Sequence, residues 1–177
     1  RFETWEESCA RNYNMHRKKY QDKIAQSSKL NNLIAFAEDA YVKKLYLTSQ
    51  RSLQFGGEPI LKHNVKIYNC SASYVDRPKF FAEAFYNLLG GCGVGFSVQK
   101  HHVARLPEIE AVDPTKKEVH FIDDSIEGWA DALDALLSTY FTRGTKYPGY
   151  KGYTLEFNYD QIRPEGSYIS GGFKAPG

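Results

Sequence analysis

The run Gly90-Gly91-Cys92-Gly93-Val94-Gly95-Phe96-Ser97 places four glycines in six residues, which lets the backbone turn sharply or approach a ligand closely. The preceding segment, residues 79–89, puts Phe80, Phe81, Ala84, Phe85, Leu88 and Leu89 on one side of a helix. Such a helix is expected to stop at Gly90-Gly91, where glycine takes the left-handed cap. The apolar residues that follow then enter a strand. Helix, glycines, strand is the reverse of the strand–loop–helix order of a dinucleotide fingerprint, and the run lacks a P-loop lysine. Its backbone N–H groups could cradle a phosphate. A plain helix-to-strand turn explains it equally well, with Cys92 as a small residue in that turn.

Elsewhere the pattern is mainly helical. Residues 1 to about 50 read as helix, with Leu30, Leu33, Ile34, Ala37, Ala40, Tyr41 and Leu45 spaced by threes and fours. The polar stretch 21–28 is expected to separate two helices. Phe55-Gly56-Gly57-Glu58-Pro59 reads as a turn, and residues 65–71 as a short strand ending on Cys70-Ser71. A third helix carries Ile126, Trp129, Ala130, Leu133, Leu136, Leu137 and Tyr140 at near-heptad spacing. Its cap is Asp124, with Glu127 completing a capping box, or Ser125. Residues 142–152 form a Gly/Pro/Tyr loop, 155–159 a strand and 162–166 a turn.

Bulk properties exclude several classes. A net charge of +2 gives no electrostatic reason to expect a nucleic-acid or membrane partner. There is no apolar run long enough to span a bilayer. Three widely spaced cysteines make no disulfide framework and no zinc pattern, so no metal site is expected. They fit a reducing, cytoplasmic setting.

Few residues stand out for chemistry. A cysteine such as Cys70 is commonly a small buried hydrophobe; the other reading is a redox thiol at a strand end facing a pocket. His101 and His102 are adjacent, so in a strand they would point to opposite faces, and one metal would rarely take both; one solvent-facing and one hydrogen-bonded histidine is the favoured reading. Asp123-Asp124 is explained by helix capping. Arg163 could hold a phosphate or a carboxylate, or form a surface salt bridge.

Six segments occur in order: Arg51-Ser52-Leu53-Gln54-Phe55-Gly56-Gly57, Ile67-Tyr68-Asn69-Cys70-Ser71, Gly90 through Val103, Asp124 through Ala132, Ile162-Arg163-Pro164-Glu165-Gly166, and Ser170-Gly171-Gly172-Phe173-Lys174-Ala175-Pro176-Gly177. Together they resemble the adenosylcobalamin-dependent (class II) ribonucleotide reductases, in their ribonucleoside-triphosphate reductase branch. The likeness runs from about residue 45 onward. The implied fold is α/β: a helical region (1–64), then the first part of a ten-stranded barrel of two parallel half-barrels (65–177). An insert at about 104–158 would help build the allosteric effector site.

The resemblance also implies roles. In that family cobalamin generates a thiyl radical that abstracts the ribose 3′ hydrogen, and a cysteine pair then reduces the substrate as its 2′ hydroxyl leaves. Cys70 matches the first cysteine of that pair. Asn69, Ser71, Gly93, Gly95, Phe96, Ser97, Ser170, Gly171 and Gly172 would contact substrate, and Asp76 the effector, a deoxynucleoside triphosphate or ATP. The finger-loop Asn-x-Cys-x-Glu motif, the second reducing cysteine and the shuttle cysteines are absent. The expectation is therefore an N-terminal piece of a larger or split catalytic chain. Its partners would be the remaining C-terminal part, which carries most of the cobalamin site, and a thioredoxin- or glutaredoxin-type reductant. A half-barrel alone exposes strand edges and an uncovered apolar face, so poor solubility in isolation is expected. The competing reading is a non-catalytic nucleotide-binding or interaction subunit that keeps only the effector site.

Overall fold

The computed structural model describes residues 2–169 and 174–175. The chain forms two compact units, Arg1–Asn69 with Gly90–Cys92, and Cys70–Leu89 with Gly93–Gly177.

The first unit is helical: α1 (Trp5–Lys19), α2 (Gln21–Ala25), α3 (Ser28–Val42), α4 (Gln50–Phe55) and α5 (Glu58–Lys62), then a 3-10 turn at Asn64–Ile67. Thr4 starts α1 with a reciprocal box: its Oγ1 accepts from Glu7 N, and its own N–H donates to the Glu7 carboxylate. The core is Cys9, Tyr13 and Tyr41, flanked by Trp5, Ile34 and Leu53. Trp5 and Tyr41 pack with ring centroids 5.3 Å apart, and Trp5 Nε1 donates to Val42 O at 2.9 Å.

Three sequence expectations change in this unit. Residues 21–25 are helical, because the polar stretch contains no glycine or proline to stop a helix. The Phe55–Pro59 turn joins two short helices through Gly57, at φ 104°, and Gly56 sits so close to Ser52 O that a Cβ would lie 2.4 Å from it. The strand expected over 65–71 begins only at Cys70. Val65 is instead buried on the 3-10 turn.

The second unit contains two β–α–β segments. β1 (Cys70–Tyr74), α6 (Lys79–Leu89) and β2 (Gly93–Ser97) form the first, with the strands paired in parallel. The short α7 (Lys100–Val103) follows. β3 (Asp113–Phe121), α8 (Ile126–Tyr140) and β4 (Tyr153–Asn158) form the second, also parallel, with a register shift between Asp113 and Lys117. Parallel neighbours need a crossover, which α6 and α8 supply. The two helices pack on each other, and α8 also contacts β3 and β4.

The sequence bounds α6 as found, and Gly91 takes φ 85° just beyond it. The cap of α8 is Ser125, whose Oγ accepts from Gly128 N at 2.9 Å. Asp124 makes no box with Glu127; its carboxylate accepts from Arg163 Nε at 2.6 Å, a salt bridge. The most buried positions of α8 are small, Ala132, Ala135, Ser138 and Thr139, while Trp129 stays 37% exposed. Small side chains permit close approach on both sides of a helix sandwiched between α6 and strands. The segment expected as a helical insert therefore also holds a parallel strand pair. Among the described residues, no helix is long and apolar enough to cross a membrane.

Candidate active site

Alternation along β1 and β2 divides the sequence candidates between two faces. The register pairs Cys70 with Gly93, Ala72 with Gly95 and Tyr74 with Ser97, and these six share one face. Ser71, Ser73, Val94 and Phe96 share the other. Cys70, Gly93, Gly95 and Ser97 are thus brought together, whereas Ser71 and Phe96 are not part of that face. Ser71 Oγ reaches Gly93 O at 3.4 Å, and the Phe96 ring packs edge-on against Phe80 of α6 at 5.5 Å. On this second face Val75, Phe80, Phe85, Phe96, Val98 and Leu133 line an apolar groove of about 380 Å³.

The first face has the makings of a thiol site. Cys70 is exposed at its N-terminal end. The neighbouring strand offers Gly93 and Gly95, so a shallow trough runs beside the sulfur. A Cβ built at Gly95 would meet Ser71 O at 3.8 Å, an ordinary contact. The other cysteines differ: Cys9 is fully buried and Cys92 is 2% exposed. Burial pushes the Cys9 thiol above its ordinary pKa. A thiolate is the reactive form, so accessibility singles out Cys70, which periodicity alone could not do.

The far end of this face is closed by a histidine. His102 Nδ1 lies 3.0 Å from Ser97 Oγ, and its ring centroid is 4.3 Å from that of Tyr74, with the planes tilted by 46°. Desolvation, then the neighbouring His101, lowers its pKa, which favours the neutral ring. The expected pair of one exposed and one hydrogen-bonded histidine is found, His101 being exposed and His102 bonded to Ser97, but not on a strand. β2 ends at Ser97, both histidines sit on α7, and their rings are 3.9 Å apart. Among the described residues no group of three His, Cys, Asp or Glu side chains is arranged to hold a metal.

Asp76 follows β1. Its carboxylate accepts from Arg77 Nη1 at 2.7 Å and faces Arg105 at 3.6 Å, and Arg77 also binds Glu83. It is therefore the centre of an arginine cluster. Asn69, immediately before Cys70, accepts at Oδ1 from Arg51 Nε at 2.7 Å, and Arg51 Nη2 donates to Gly91 O at 2.7 Å. Sequence reading gave Arg51 no role, since nothing local marks a bond spanning 18 residues. Ser170, Gly171 and Gly172 lie outside the described residues.

No protein-family model matches the chain, and no curated protein matches it by sequence. A solved structure does match: a B12-dependent (class II) ribonucleotide reductase, at a TM-score of 0.74 and 21% identity. The alignment covers 99% of this chain and 32% of that one, so the chain spans about a third of the reductase's length. With its parallel strand pairs, crossover helices and helical first unit, the chain has the fold of that portion of a class II ribonucleotide reductase.

Proposed function

We propose that the chain is a piece of a ribonucleotide reductase acting on ribonucleoside triphosphates, and that Cys70 is one thiol of its reducing pair. One observation carries this reading: the exposed Cys70 stands at the head of a parallel strand, opposite a glycine, in a chain with a reductase fold.

The chemistry assigned to Cys70 is reduction. Two thiols yield one disulfide, two electrons and two protons. The substrate's 2′ hydroxyl leaves as water, and hydrogen takes its place. Cys9 and Cys92 are buried, so the second thiol is assigned to polypeptide outside these residues. A dithiol protein of the thioredoxin class would then return Cys70 to its reduced form by exchange. Gly93 and Gly95 keep the space beside the sulfur clear for a ribose, and Ser97 borders it. Ser71 and Phe96, on the opposite face, support the strand. Ser170, Gly171 and Gly172 remain part of the proposal as a second glycine segment.

Adenosylcobalamin would supply the initiating radical. Among the described residues, the apolar groove beside β1 and β2 lies on the face away from Cys70. The arginine-held Asp76 and the segment at 104–158 are proposed as the effector region, binding a deoxynucleoside triphosphate or ATP. The division into 1–64 and 65–177, and a cytoplasmic location, belong to the same reading. Turnover tests it: in the assembled reductase, Cys70→Ser should abolish multiple turnover with a dithiol reductant, and undiminished turnover would overturn the assignment.

A further inference from the structure

His120 carries a polar atom that the interior of the second unit leaves unmet. The residue lies on β3 and is 7% exposed, and its buried Nε2 has no hydrogen-bond partner among the described residues. A buried polar atom without a partner costs stability and is uncommon. The surroundings would suit an apolar side chain. The rings of Tyr147, Tyr150 and Phe157 stand 5.5, 6.2 and 6.3 Å away, each steeply inclined to the imidazole. Set among these rings is Asp131 of α8, whose Oδ2 lies 3.5 Å from His120 Nε2.

Asp131 is already a junction. Lys146 donates to its Oδ1, and Tyr147 Oη donates to its Oδ2 at 2.6 Å. These bonds tie the loop after α8 to that helix. Tyr147 N to Ser138 Oγ at 3.2 Å and Gly152 N to Thr139 O at 2.9 Å do the same. Burial works against ionisation of Asp131, but the bonds from Lys146 and Tyr147 outweigh it and hold the carboxyl below its ordinary pKa. The carboxylate therefore stays charged through the range, about pH 5 to 8, in which histidines change charge. Three further charges lie close by. Asp134 is one turn along α8, and burial pushes its carboxyl up. Glu118 precedes His120 by two residues on the same face of β3. Lys151, next to Tyr150, is paired with Glu110 at 3.1 Å. From β4 the ring of Phe157 faces the imidazole, while Glu156 pairs with Lys117.

We propose that His120 is a proton-operated clasp: protonated, its Nε2–H donates to Asp131 Oδ2, so that one carboxylate joins β3, α8 and residues 144–152. Neutral, His120 leaves β3 out of that junction. The clasp does not depend on the function proposed above. A histidine that gains a partner when charged adds stability at low pH, and that stability is lost as pH rises. Acid should therefore tighten the 144–152 segment.

Hydrogen–deuterium exchange of the intact chain tests this, read on peptides spanning 144–152. Rates are expressed as protection factors, so the intrinsic pH dependence of exchange cancels. Wild-type protection of the segment is expected to be about threefold or more higher at about pH 5.5 than at about pH 7.5. His120→Gln keeps a hydrogen-bonding side chain that does not titrate, and should abolish the difference. Asp131→Asn leaves an imidazolium buried without its partner, and should reverse it. Equal wild-type protection at the two pH values overturns the clasp with no variant needed. A difference that survives His120→Gln, or that Asp131→Asn leaves unchanged, overturns it as well.

Discussion

Cys70 faces Gly93 across the parallel β1–β2 pair, in register, on the face the two strands leave open. The thiol therefore has a neighbour with no side chain, and two residues on, Gly95 continues the gap opposite Ala72. Glycine in a strand interior costs stability relative to alanine, so its use here keeps volume free beside the sulfur.

Gly95→Ala tests that volume. The new methyl would meet Ser71 O at 3.8 Å, an ordinary contact, and Gly95 has no positive φ to strain. The variant should be more stable than wild type by about 0.5–1 kcal/mol, while ribonucleoside triphosphates protect Cys70 from iodoacetamide less well. Thermal unfolding and a titration of that protection check the two effects separately. Full protection in the stabilised variant would mean the trough is not used.

The α8 cap distinguishes two adjacent residues that sequence reading left open. Ser125→Ala removes the acceptor for Gly128 N and should cost about 1 kcal/mol. Asp124→Ala removes a partly exposed pair with Arg163 and should cost between about 0 and 1 kcal/mol. Urea unfolding of both variants ranks them, and a larger loss at Asp124 would contradict the cap assignment.

The α8 result shows what the sequence carried. The periodicity located the helix, because an amphipathic face repeats whatever it packs against. It pointed to the leucines as the buried face, yet the closest packing falls on Ala132, Ala135, Ser138 and Thr139. Contact from two sides is a tertiary fact that a one-sided pattern cannot express. β3 was missed for a related reason. Its Thr115-Lys116-Lys117 run is exposed, so it shows no alternation of apolar and polar residues. At the candidate site only the Cys70-Ser71 start of the strand was legible, and the exposure of its thiol was not, because an isolated cysteine reads the same buried or open. The link from Arg51 to Asn69 and Gly91 depends on where separate segments meet in space, and no local spacing encodes it.

Acid should weaken the first unit through Glu3. Hydrogen bonds from Arg11 and Ser8 hold its carboxyl at a pKa of about 2, below the ordinary 4.5. A depressed folded pKa stabilises the fold above the unfolded value, and the contribution is lost as pH falls through the folded value. Wild type should thus be more stable than Glu3→Gln at neutral pH, and the difference should close between pH 4.5 and pH 2. The carboxylate is 39% exposed, so solvent screens the effect and it will be small. Urea midpoints of both proteins across that range check it, and a pH-independent difference would contradict it.

The most direct test is which thiol of the native chain reacts. Brief treatment with iodoacetamide followed by peptide mass mapping reads Cys9, Cys70 and Cys92 separately. Cys70 is expected to be alkylated first, with the two buried cysteines modified only on unfolding, and a ribonucleoside triphosphate is expected to slow Cys70 alone. Equal rates at all three cysteines, or Cys70 alkylation in the assembled reductase that no nucleotide slows, would contradict its assignment as the reducing thiol of a nucleotide site.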